Sequence, residues 1–211
     1  MKLATIALLG ILLLGSFASI KAAGPAGASQ VVIAYSGGSF LASDPSPICM
    51  FYPVLVGDLD PKSLFAGLGG PAIDKEHAYL IWVSDYSMQV LPPNNDFPDI
   101  DFLALVPTGT ATIYYTNQPH LRDWRNLRFN TRSTWGEPVA KFVRRAGLFT
   151  SAKGGVSGTF TFTADLVSSS NFVLNGKPFN FRNLIPHGMT CSETGAGASE
   201  AGTCVAVGGG Q

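Results

Sequence analysis

The chain has 211 residues, a formal net charge of +0, 46% hydrophobic residues and only 13% charged ones. That apolar content excludes a disordered chain, and the lack of basic excess argues against a nucleic-acid partner. With 24 glycines and 14 prolines few helices survive, which favours an all-β fold.

The first stretch reads as an address rather than as structure. Lys2 precedes an apolar run from Leu3 to Leu14, and small residues follow, among them Gly15, Ser16, Ala18, Ala22 and Ala23. This is the pattern of a secretory signal peptide over 1–23, with cleavage after Ala23 preferred to Ala18 or Ala28. The run is too short for a spanning helix, which needs about 20 apolar residues. The expectation is an exported protein, secreted or periplasmic, with no membrane span after signal removal. A single β-rich domain then covers 24–211, with a frayed, glycine-rich tail from Val207 to Gln211. Without Lys2 and Lys21 there are twelve basic and fourteen acidic residues, the acidic ones concentrated before Phe102 and the basic ones after it. The two halves are expected to pack together and offset each other.

Val31–Tyr35 is the first predicted strand, ended by Ser36-Gly37-Gly38-Ser39. Met50–Val56 is the second, with Pro53 marking an edge or a bulge. Lys62–Ala66 suggests one helical turn in a glycine-bearing loop. His77–Val90 reads as one long or broken strand, with Leu80, Trp82 and Ser84 on one face. Asp101–Val106 and Ala111–Asn117 are expected to form a hairpin over Pro107-Thr108-Gly109-Thr110. The clearest element is a long hairpin over Glu137–Ser168. In its second arm Phe160, Phe162, Ala164 and Leu166 point one way and Thr159, Thr161, Thr163 and Asp165 the other. One face therefore meets a core and the other meets water. In the first arm, Lys141, Arg144 and Arg145 interrupt the apolar residues. Phe172–Leu174 and Pro178–Phe181 form a small hairpin over Asn175-Gly176, and Arg182–Ile185 is a helical turn. About 8–10 short strands with one or two helical turns make an antiparallel sandwich or closed barrel. A membrane barrel fits poorly, since few segments offer about ten residues of alternation.

Three cysteines are present. Cys191 and Cys204 flank a loop of small residues and are expected to pair, as exported conditions favour. Cys49 sits in an apolar run and is expected to be a buried thiol. No CxxC spacing points to zinc.

The richest candidate surface is His120–Trp135, with Trp124, Arg125, Arg128, Arg132 and Trp135 as the binding residues. Guanidinium forks grip carboxylate, sulfate or phosphate and stack on indoles, so the partner would be an acidic polymer or an acidic protein surface. The alternative is a surface loop whose arginines stack on its own tryptophans or pair with the acidic first half. Asn94–Asp101 gathers oxygen ligands of the type calcium uses, without a loop motif; no metal ligand and no cofactor are assigned. His77, His120 and His187 are too far apart in sequence for a metal pair, and His77 is set against Asp85. There is no G-x-S-x-G. The sequence supports an exported, non-catalytic binding or structural module; the alternatives are a hydrolase acting on an extracellular polymer and a calcium-dependent adhesive domain.

Overall fold

The computed structural model describes residues 30–41, 47–67, 73–85, 88–90, 96, 100–105, 109–123, 134–152, 157–196 and 198–208. Residues 1–29, where the signal peptide was expected, most of Asn94–Asp101 and the end of the tail lie outside them.

Eight strands close into an antiparallel barrel, and this closure is chosen over the sandwich. They are β1 (Val31–Leu41), β2 (Pro47–Val56), β3 (Leu80–Asp85), β6 (Thr110–Tyr115), β7 (Glu137–Ala152), β8 (Ser157–Ser169), β11 (Gly188–Ala196) and β12 (Ser199–Val207). Around the barrel the order is β7-β6-β3-β2-β1-β12-β11-β8, and β8 pairs back onto β7. Two more strands, β4 (Met88–Val90) and β5 (Ile100–Leu105), extend the sheet from β7, and β9 (Phe172–Leu174) pairs with β10 (Lys177–Phe179) in a separate ribbon. Helical structure among the described residues amounts to single turns at Pro61–Leu64, Pro119–Leu121 and Phe181–Leu184. No helix among them is long and apolar enough to cross a membrane.

The β8 pattern is as the alternation predicts. Phe160, Phe162, Ala164 and Leu166 are buried, while Thr159, Thr161 and Asp165 are exposed. On that outer face Asp165 meets Arg145, Nε to Oδ2 at 2.7 Å, with both side chains more than half exposed. Solvent screens such a pair, so Asp165→Asn should lower stability by under about 1 kcal/mol in urea unfolding.

Two expectations need correction. First, β5 and β6 do not pair with each other. β7 is long enough to hold both end to end: Tyr115–Thr110 runs beside 137–143 and Ala104–Ile100 beside 148–152. The expected turn at Pro107-Thr108 lies outside the described residues, and a 16-residue neighbour decides the pairing. Second, residues 192–196 and 199–203 between Cys191 and Cys204 are strand rather than loop. Cys191 and Cys204 face each other across β11 and β12 and form the disulfide. Cys49 is a buried thiol.

Smaller differences have local causes. β1 runs through Gly37 and Gly38 instead of ending there. A Cβ on Gly37 would lie 2.0 Å from the Met50 carbonyl oxygen, so glycine lets β1 and β2 approach closely. Pro53 does sit at a bulge, where the β1–β2 register slips between Ala34 and Tyr35. Asn175 and Gly176 both take positive φ, at 50° and 77°, as the predicted two-residue turn requires.

One end of the barrel is packed by the single turns and the ribbon. Phe172, Leu174, Phe181, Leu184 and Ile185 join Leu64, Leu80 and Val56 in the core, and Asn175 Nδ2 donates to the Ser63 carbonyl.

Candidate functional site: polar groups inside the barrel

Antiparallel pairing sets directly opposed residues on the same face. Glu193 on β11 is opposite Gly202 on β12, which is opposite Tyr35 on β1. Gly202 has no side chain, so the Tyr35 hydroxyl reaches across it and donates to Glu193 Oε2 at 2.7 Å. A Cβ at Gly202 would lie 2.7 Å from that hydroxyl and 2.6 Å from the Glu193 Cβ. The glycine is the space in which this hydrogen bond forms.

From the opposite wall comes Arg144. Strand alternation puts Arg144 on the inner face with Phe142 and Arg145 on the outer one, just before the β7–β8 register slips: Arg145 points out to Asp165 and Arg144 points in, 2% exposed. Its Nη2 donates to Ser84 Oγ on β3 at 2.6 Å. Its Cζ lies 4.4 Å from the Phe162 ring centroid and 5.2 Å from that of Phe160, where ring faces favour a cation. Trp82 completes the wall, edge-on to Tyr35 at 4.9 Å and to Phe162 at 6.0 Å. Among the described residues Trp82 Nε1 is enclosed without a hydrogen-bond partner, and the Glu200 carboxyl hydrogen-bonds to that of Glu193.

Electrostatics follow from enclosure. Burial pushes the Glu193 carboxyl from 4.5 up to about 7; Glu200 nearby pushes the same way, while the Tyr35 hydrogen bond and Arg144 oppose it. Burial raises the Tyr35 phenol as well, and the Glu193 charge adds to that. The arrangement provides donors and acceptors, one cation and one carboxyl that changes charge near neutrality, all between aromatic rings.

Of the residues singled out from sequence, Trp124, Arg125, Arg128 and Arg132 lie outside the described residues. Trp135 is buried, its ring 5.4 Å from Tyr114 on the outer face of β6. Arg122, at the edge of the same stretch, donates to the carbonyls of Trp135 (3.1 Å), Tyr79 (2.8 Å) and Ala78. It ties both ends of the stretch to the segment before β3, and burial lowers its pKa to about 9. His77, His120 and His187 are all exposed. His77 Nδ1 meets Asp74 at 2.7 Å, whereas Asp85 accepts from Thr110 N and Oγ1. Among the described residues no group of three His, Cys, Asp or Glu could hold a metal ion.

Sequence reasoning passed over Tyr35, Ser84, Glu193 and Glu200. One signal was available: Glu193 lies two residues after Cys191, so a strand there puts both on the inner face. Comparison with protein families, curated proteins and solved structures gave no match.

Proposed function

We propose that this is a non-catalytic binding protein, secreted or periplasmic, that holds a small hydroxylated aromatic molecule inside its barrel. The observation that carries the reading is the buried polar set itself. Tyr35, Ser84, Arg144 and Glu193 converge from four strands, beside the Glu200 carboxyl and an indole N–H that lacks a partner among the described residues. An unsatisfied buried polar atom costs about 1–3 kcal/mol, and a barrel core built only for stability has no need of one. A flat aromatic ligand matches the Trp82, Phe160 and Phe162 rings, and its hydroxyl or carbonyl groups match Trp82 Nε1 and Glu200 Oε2. The Cys191–Cys204 disulfide and the composition of 1–23 support export.

One observation favours an enzyme instead: a carboxyl near pKa 7 is suited to proton transfer at neutral pH. Glu193 is only 5% exposed, however, which suits a small enclosed ligand better than an extracellular polymer.

The test is a thermal-shift screen of the exported chain against phenols, hydroxybenzoates and flavonoids, followed by fluorescence titration. A binder should raise the melting temperature and change tryptophan emission. Its affinity should fall about tenfold or more in Trp82→Phe and in Glu193→Gln. A panel without a binder overturns the reading, and conversion of a bound compound to product replaces it with the enzyme.

A further inference from the structure

We infer that the packed end of the barrel carries a second site, on its outside, for a neutral carbohydrate. A groove of about 480 Å³ opens there between the barrel rim and the β9–β10 ribbon. It shares no residue with the interior polar set and stands independently of the reading given to that set.

The groove is held in shape by the pairing around it. Leu80 is opposite Tyr115, and Thr116 N donates to the Tyr79 carbonyl at 3.1 Å, so Tyr79 and Tyr115 sit at neighbouring positions on the rim. Glu137 pairs with Tyr115 from the other side. The ribbon leans over this rim and is fastened twice. Tyr115 Oη donates to the Val173 carbonyl at 2.5 Å, with its ring 4.9 Å from that of Phe172. Asn175 donates to Ser63 through Nδ2, which leaves its Oδ1 as an acceptor at the groove. A groove fixed in this way is preformed, and its volume lies within the range of about 300–1,000 Å³ usual for ligand sites.

Its lining selects the ligand class. Tyr79 and Tyr115 are half-buried, each with an aromatic body and a polar tip. Asn117 and Asn175 bring amides and Glu137 brings a carboxylate, all three exposed. Amides donate and accept, and a carboxylate accepts from two hydroxyls at once. Among the described residues no Lys, Arg or His lines the groove, so there a phosphate or an acidic sugar would meet only Glu137's like charge. What satisfies aromatic faces, amides and a lone carboxylate together is a ring with C–H groups on its faces and hydroxyls on its rim. A neutral saccharide has that form.

The experiment is isothermal titration of the full exported protein with glucose, galactose, mannose and N-acetylglucosamine and with their short neutral oligomers. At least one should bind saturably. Tyr79→Ala and Asn117→Ala should each weaken it about tenfold or more, whereas Glu193→Gln should leave it unchanged. Asn117 is exposed, so its variant tests the site even if Tyr79→Ala fails to fold. Absence of saturable binding to every saccharide overturns the inference. So does binding indifferent to Asn117→Ala, and so does binding abolished by Glu193→Gln, which would move the ligand into the barrel.

Discussion

Phe162→Ala should lower the unfolding free energy by about 3–5 kcal/mol, the usual cost of removing a large buried ring. Phe162 is 2% exposed and packs against Phe160 at 5.0 Å and Trp82 at 6.0 Å. It also lies beneath the Arg144 guanidinium, so truncation removes the ring face that lies closer to that cation. The upper half of the range is therefore expected. Thr161 is the next residue on the opposite, exposed face, and Thr161→Ser should cost on the order of 1 kcal/mol or less through lost strand preference. Urea midpoints of the two variants, read at equal slopes, separate the cases. If the threonine variant is the weaker protein, the inward face of β8 has been misassigned.

Stability should also fall as pH rises from about 4.5 to about 7, and Glu193 should be the cause. Its carboxyl is raised in the folded state, so across that window the folded protein keeps a proton that the unfolded chain gives up. The slope approaches 1.4 kcal/mol per pH unit, and the whole loss is about 3 kcal/mol, complete above pH 7. Tyr35, Glu200 and Arg144 are the charged or titratable groups that act on it. Glu193→Gln keeps the shape and removes the titration, so its urea midpoints at pH 5, 6, 7 and 8 should be nearly level where the parent's decline. The Asp74 carboxyl is lowered by His77, so its contribution is lost only at pH values below this window. Parallel profiles for the two proteins would mean that Glu193 is already ionised when folded.

Much of the frame was legible because it is written locally. Alternation in 159–166 gave the facing of β8, Asn175-Gly176 gave a turn, Pro53 gave a bulge, and short spacing gave the Cys191–Cys204 pair. What was not legible depends on partners far along the chain. The residues of 192–203 are small and polar, and by composition they resemble a loop. In 192–196 and 199–203 they pair as strands with β8 and β1, partners far along the chain, and Gly202 leaves room for Tyr35. Arg144 and Arg145 are equivalent as letters, and which of them turns inward is set by the register against β8, where Arg144 lies opposite Ala164. Tyr35 and Glu193 are separated by 158 positions and meet only because β1 and β11 flank the same strand. Trp135 drew attention as an aromatic near arginines, but packing against Tyr114 was not visible from its neighbours in sequence.

The pairing of β1 with β12 has a consequence for the order of events at birth. The first strand to emerge lies between β2 and the last one, with Val31 beside Val205 and Gly38 beside Ser199. Until some 170 later residues have left the ribosome, one side of β1 has no partner, and the ring stays open however well its middle has formed. Closing it joins segments far apart in sequence, which is the slow kind of contact to make. The ring therefore closes only after β12 has been made, so closure follows the synthesis of every other described strand.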